Sequence, residues 1–377
     1  MVPNPWRVSA CAMACASALV SWQLHAQQVA DFPRATPGEA GLDARVLEGV
    51  DSSARASLPA LQAMVVLRKG RLAWERYWGG ADSNTVFNAK SVSKSFLSAL
   101  VGIAVGQGRL SLDQRVSSLL PRYFDQDLEP ANRMFRAAVV RNDSVRATIT
   151  VRQLLTMTTG YAWDEGGPIL STFLVSGDPV RLVAELPLAA MPGASFNYTT
   201  GGTHLLAAAL AQAVGVPLRT FANEMLFGPA GITLREWDVD GAGNPLGGSE
   251  MYFTPRGLAR FGQLYLDRGN AGTRSVVPAD WVASSWERHT AVESPLYTGM
   301  IPGLTGYGYL WWLRKSGERT MNCALGFGGQ FVLVVPELDL VIAGASALDS
   351  RNPGNVPQFN GIFRLVDAIV GSVSRKP

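Results

Sequence analysis

Histidine is nearly absent from this chain: His25, His204 and His289 are the only three in 377 residues. Imidazole-dependent serine hydrolases need one at the centre. His204 lies inside the apolar stretch 203–214 and His289 in a Thr/Glu/Ser loop, and both read as structural. Cysteine is as scarce. Cys11 and Cys15 fall in the N-terminal apolar stretch, which leaves Cys323 alone and gives no disulfide framework. There is no H-E-x-x-H, no C-x-x-C, no phosphate loop and no G-x-S-x-G elbow. The sequence therefore calls for no metal and no cofactor. A net charge of +3, dispersed along the chain, gives no footprint for nucleic acid. Low-complexity tracts, long charge runs and internal repeats are missing too. Lysine is the last scarcity: Lys69, Lys90, Lys94, Lys315 and Lys376 are five of the 33 cationic residues. A lysine kept where arginine is the habitual cation is a candidate for titration.

Residues 1–26 read as an export signal. Arg7 supplies one positive charge, Val8 to Val20 carry none, and Leu24-His25-Ala26 forms a cleavage site ahead of Gln27. The apolar run is short for a membrane span, the alternative being an uncleaved anchor. The expectation is a periplasmic or secreted bacterial protein, without a stable membrane anchor once the signal is removed. About 350 mature residues suit one large domain.

The most informative stretch is Asn88-Ala89-Lys90-Ser91-Val92-Ser93-Lys94-Ser95-Phe96-Leu97. Apolar residues then recur at Leu100, Val101, Ile103, Ala104 and Val105, which predicts a helix ending near Gly106 and Gly108. Ser91 stands at the start of that helix and Lys94 one turn on, on the same face. A serine hydroxyl needs a neighbour to take its proton, and a lysine does so when burial lowers its pKa. The helix start adds free N–H groups and a positive dipole end beside Ser91. The bland alternative is a serine cap with a lysine snorkelling to the surface.

Around this stretch, residues 37–60 read as a helix. Residues 62–67 and 71–78 read as a hairpin turning at Gly70. Residues 110–120 lead into a short helix. Thr150 caps a helix ending by Gly160, and a loop, Tyr161-Ala162-Trp163-Asp164-Glu165-Gly166-Gly167, follows. Trp163 and Asp164 are candidate pocket residues, or else an ordinary surface loop with a packed tryptophan. The turn chemistry of 192–202 suggests an exposed backbone presenting Tyr198, which otherwise merely packs. Helices are predicted over 205–214, 254–267 and 361–374, and strands over 306–312, 321–325, 330–335 and 338–343. The fold class is α/β (α+β). A mainly antiparallel central sheet, flanked by helices, is built from about 37–121 and 246–377. A helical subdomain is inserted at about 122–245.

Ser91-x-x-Lys94, Tyr198-Thr199-Thr200 and the Gly-rich Ala324-Leu325-Gly326-Phe327-Gly328-Gly329-Gln330 occur in an order that resembles the serine β-lactamase and penicillin-binding-protein superfamily. The resemblance is to its class C-like branch, and there to esterases and 6-aminohexanoate-dimer hydrolases. Leu154 to Gly160, Gly247-Gly248-Ser249 and Ala259 to Gly262 support it, and together these stretches span about 40–370. The resemblance implies a β-lactamase/transpeptidase-like fold with Ser91 as acylated nucleophile, Lys94 as its proton acceptor or as the group that keeps its partner ionised, and Tyr198 as proton shuttle to the leaving group. It further implies an oxyanion hole from the N–H groups of Ser91 and of Phe327 or a neighbour on its strand, with cationic Lys94 favouring a Tyr198 phenolate. Gly328 and Gln330 would contact a small ester or amide substrate. Two departures stand out. Thr200 replaces the Asn of Y-x-N, and Gly326-Phe327-Gly328 replaces K-T-G and has no cation for a β-lactam carboxylate. Ester or linear amide cleavage is the leading expectation. A β-lactamase or D-Ala-D-Ala carboxypeptidase, and a non-catalytic penicillin-binding-like protein, are the alternatives.

Overall fold

The computed structural model describes residues 31–124 and 143–373, so the expected export segment 1–26 lies outside the described residues. Seven strands form one sheet: β1 Leu61–Arg68, β2 Arg71–Tyr77, β3 Leu304–Tyr307, β4 Trp312–Ser316, β5 Arg319–Gly326, β6 Gln330–Val335 and β7 Leu340–Ser346. Their spatial order is β2-β1-β7-β6-β5-β4-β3, and every pairing is antiparallel. The N-terminal hairpin thus joins the C-terminal meander through β1 and β7, with Val65 opposite Ala343. Strands β6 and β7 are buried along their whole length. Their near-continuous Val/Leu/Ile content matches a sheet covered on both faces.

Five longer helices complete the layers: α1 Ala44–Ser57, α2 Val92–Gly106, α3 Thr200–Val214, α4 Pro255–Leu266 and α5 Asn355–Ser372. Helix α4 lies across β1, β6 and β7, while α1 packs on α5. Helix α5 is tied to the sheet by the Asp367 carboxylate, which accepts from Arg314 at 3.0 Å and from Ser316 at 2.6 Å. Helix α2 lies between α3 and β5. Being apolar nearly all round, it is buried from Val92 to Ala104. Phe96 anchors it, stacked on Phe261 of α4 at 3.8 Å and on Phe253 at 4.5 Å.

The antiparallel sheet with flanking helices is as the sequence pattern led one to expect, but the bounds of several elements differ. The predicted strand 306–312 is two strands, β3 and β4, with a turn between them. Gly308 N–H donates to Trp311 C=O at 2.8 Å, and Leu310 takes φ 60°. That turn sends the adjacent indoles apart: Trp311 packs on Phe261 and Tyr265, Trp312 on Tyr198. The first helix starts at Ala44 rather than residue 37, because Asp43 caps it by accepting from Arg45 N–H. The last helix starts six residues earlier than predicted, at Asn355. Pro357 is harmless there, since N–H groups of a first turn have no intrahelical acceptor.

Phe96 joins three elements, so Phe96→Ala should cost about 3–5 kcal/mol of stability, the scale for a fully buried phenylalanine. Urea unfolding followed by circular dichroism measures it. A loss under about 1 kcal/mol would show that α2 is not the centre of the core.

Candidate active site

Ser91 occupies the N-cap position of α2, yet its side chain makes no capping hydrogen bond. Its hydroxyl turns to Lys94 instead, with Nζ 2.9 Å from Oγ. Lys94 is 1 % exposed, which rules out a snorkelling surface lysine. Its Nζ also donates to the Gly248 carbonyl at 2.8 Å and to Thr200 Oγ1 at 2.9 Å. Burial lowers the ammonium pKa to about 8, against the opposing pull of Glu165 and Glu250. The carbonyl contact needs glycine at 248. A Cβ there would stand 2.3 Å from Thr203 Oγ1 and 3.2 Å from Lys94 Nζ.

Tyr198 sits just before α3 and is buried, not displayed on an exposed turn. Desolvation raises its phenol well above 10, helped by Tyr307 and Glu165, with Ser91 pulling the other way. Lys94 Nζ lies 5.0 Å from the ring centroid, over the face. Burial thus works against the phenolate expected from the family pattern. Trp312 stacks on Tyr198 at 5.2 Å, and Tyr297 and Tyr307 pack beside it. This aromatic wall keeps water from the phenol.

The end of β5 lies directly against the turn that carries Ser91. A Cβ on Gly326 would meet Ala89 C=O at 2.3 Å and Lys90 Cβ at 3.1 Å, so only glycine permits the approach. Phe327 follows on the same segment, its side chain 59 % exposed. Among the described residues, the N–H groups of Ser91 and Phe327 carry no backbone hydrogen bond outside the regular elements.

The other sequence-predicted residues divide. Trp163 and Asp164 line a cavity of about 360 Å³ with Ala162, Pro168, Ile169 and Asn197. Gly328 is engaged by its own chain, its N–H donating to Asn355 and its carbonyl accepting from Asn352. Gln330 is not brought to the site. It is fully buried and its amide bridges to Ser346 of β7 in both directions, at 2.8 and 3.2 Å. His204 and His289 serve the scaffold. His204 pairs with Asp240 at 2.9 Å, and His289 stacks on Tyr309 at 4.0 Å.

Two participants escaped the sequence reading. Glu165 accepts from Trp163 Nε1 at 2.6 Å, from Thr200 N–H at 3.0 Å and from the Thr200 hydroxyl. Thr200, noted only as a departure from Asn, is a direct partner of Lys94. Their only prior signal was an acidic residue in an aromatic loop. Glu250 binds Lys90 at 2.8 Å, at the other side of the Ser91 turn. Among the described residues no cluster of three or more His, Cys, Asp or Glu could hold a metal.

A mixed α/β fold with this antiparallel sheet, holding serine, lysine and tyrosine side by side, is that of the β-lactamases and penicillin-binding proteins. The chain belongs to the beta-lactamase family, whose profile matches residues 51–363. It is 25 % identical over 330 residues to 6-aminohexanoate-dimer hydrolase of Paenarthrobacter ureafaciens, covering 83 % of this chain and 80 % of that one. It is 25 % identical over 214 residues to Esterase EstB of Burkholderia gladioli, about half of each chain (51 %). A solved structure from Bacillus anthracis, assigned as a 6-aminohexanoate-dimer hydrolase, superposes with TM-score 0.70 at 18 % identity, covering 92 % of this chain and 90 % of that one. The family is one of hydrolases with esterase and amidase-type relatives.

A base whose pKa is lowered to about 8 is mostly protonated below that pH and free above it. Fluorophosphonate labelling of Ser91 should therefore rise about tenfold per unit from about pH 6 and level off above about pH 8. Lys94→Arg should label slowly throughout, because guanidinium keeps its proton. Rates that stay flat with pH, measured by intact-mass spectrometry, would contradict Lys94 as the base.

Proposed function

We propose that this protein is a serine hydrolase, exported to the periplasm or beyond, that cleaves ester or small linear amide bonds through an acyl-enzyme on Ser91. The observation that carries the reading is the buried Lys94 amine 2.9 Å from Ser91 Oγ. Neutral Lys94 takes the Ser91 proton as Oγ bonds to the substrate carbonyl carbon. The resulting oxyanion lies against the N–H groups of Ser91 and Phe327. On collapse the carbonyl–heteroatom bond breaks, and the Tyr198 phenol protonates the departing alcohol or amine. Lys94 returns its proton to Tyr198. A second round, with water as nucleophile, releases the acid and restores Ser91. The relatives named for an esterase and for a linear amide hydrolase fit this substrate range. The Gly326-Phe327-Gly328 segment offers no side-chain cation to a β-lactam carboxylate.

Ser91→Ala should abolish turnover of p-nitrophenyl esters while leaving the melting temperature within a few degrees, since it removes one oxygen atom. Full activity in that variant, or a fluorophosphonate adduct elsewhere, would refute the nucleophile. Nitrocefin should give a kcat/KM below that of short acyl esters. A value equal to or above theirs would favour β-lactam hydrolysis instead.

A further inference from the structure

The hydrogen bonds around Lys94 have a direction, and Glu165 sets it. A neutral amine has two N–H donors and one lone pair. Three oxygens surround Nζ: the Gly248 carbonyl at 2.8 Å, Thr200 Oγ1 at 2.9 Å and Ser91 Oγ at 2.9 Å. The carbonyl can only accept. Either hydroxyl could accept or donate. Were Thr200 to donate its proton to Lys94, it would occupy the lone pair that Ser91 needs.

Glu165 prevents this. An ionised carboxylate only accepts. The Thr200 hydroxyl donates to Glu165 Oε1, and the Thr200 backbone N–H donates to Oε2 at 3.0 Å. The carboxylate is itself fixed by Trp163 Nε1 at 2.6 Å. With its proton committed, Thr200 Oγ1 can only accept from Lys94. Both amine N–H groups are then used, on Gly248 and Thr200, and the lone pair is left for the Ser91 hydroxyl. We propose that Glu165, acting through the Thr200 hydroxyl, is a positioning residue that aims the Lys94 lone pair at Ser91. This rests on the Ser91–Lys94 reading proposed above. It also accounts for threonine at position 200. With the carboxylate behind it, a hydroxyl serves as the fixed acceptor that an Asn amide oxygen would otherwise supply.

The titratable and charged groups around Lys94 are Glu165, Glu250 and Tyr198, whose ring face Nζ overlies. Of the two carboxylates, Glu165 is the one joined to Thr200, and Glu250 is held by Lys90 and Asn88. Removing Glu165 has two consequences that a merely structural role would not produce together. The Thr200 hydroxyl is freed to compete for the lone pair, and the ammonium loses a stabilising charge.

The experiment follows fluorophosphonate labelling of Ser91 against pH in wild type, Glu165→Ala, Thr200→Val and the double variant, with thermal melts alongside. Glu165→Ala should label about 10- to 100-fold more slowly on its plateau. Its inflection should move about one pH unit toward acid, the lower end for a lost opposite charge nearby. Thr200→Val should lose a similar factor on the plateau, and the double variant should be no slower than the slower single. Thr200→Asn placed in the Glu165→Ala background should recover at least about tenfold on the plateau, because its amide oxygen accepts from Lys94 unaided. Additive losses, or a Glu165→Ala inflection and plateau matching wild type, would overturn the inference. If Glu165→Ala fails to fold, Glu165→Gln carries the charge test: its inflection should move to acid, and an unmoved one overturns the inference. Wild-type protein left unlabelled at Ser91 would overturn the hydrolase reading, whereas Ser91 labelling indifferent to Glu165 overturns this inference alone.

Discussion

Taking a lysine side chain out of water is costly, and the centre of this molecule is arranged around that cost. Helix α2 is buried on all sides, so the four-carbon stem of Lys94 has no route to solvent. Desolvation favours the neutral amine. The three oxygen partners hold Nζ in one geometry, and the carboxylates of Glu165 and Glu250 limit the fall in its pKa. The outcome is an amine with a pKa of about 8, suited to the base role proposed for it. Arginine could not be poised this way, because its guanidinium stays charged in any such site. In a chain with only five lysines among its 33 cationic residues, that distinction gives a reason for lysine at position 94.

The aromatic wall has the complementary role. Tyr198 is stacked on Trp312 and packed beside Tyr297 and Tyr307, and its burial raises the phenol pKa. A neutral phenol can donate a proton, as the proposed leaving-group step requires, and can take one back from the ammonium. In the proposed mechanism Lys94 and Tyr198 divide acid and base work, and burial pushes both toward their uncharged forms. The split between β3 and β4 contributes to this: by turning Trp311 into the core and Trp312 onto Tyr198, it lets one aromatic run serve two environments.

Much of this was legible in the sequence, for local reasons. The spacing of Ser91 and Lys94 puts them on one helix face wherever the helix packs, and an all-apolar helix has to be buried. The hairpin of β1 and β2 and the closing strands follow from period and turn residues. What could not be read depends on distant partners. Glu165 and Thr200 are 35 residues apart in sequence, and only the fold sets one on the other. Gln330 sits in a segment that resembles a substrate-binding strand, yet its side chain bridges to Ser346 inside the sheet. The protonation state of Tyr198 is hidden for the same reason. A nearby cation is visible in a motif, whereas the aromatic enclosure that works against it comes from residues 99 to 114 positions further along.

The scarcity of lysine makes the central claim directly measurable. Protein labelled with 15N at lysine Nζ contains only five such nitrogens. The resonance that disappears in Lys94→Met identifies the buried amine, and its shift against pH reports its protonation. A midpoint at about 8 is the expected result. A Lys94 signal that stays protonated through about pH 10, the ordinary lysine range, would contradict a neutral base beside Ser91.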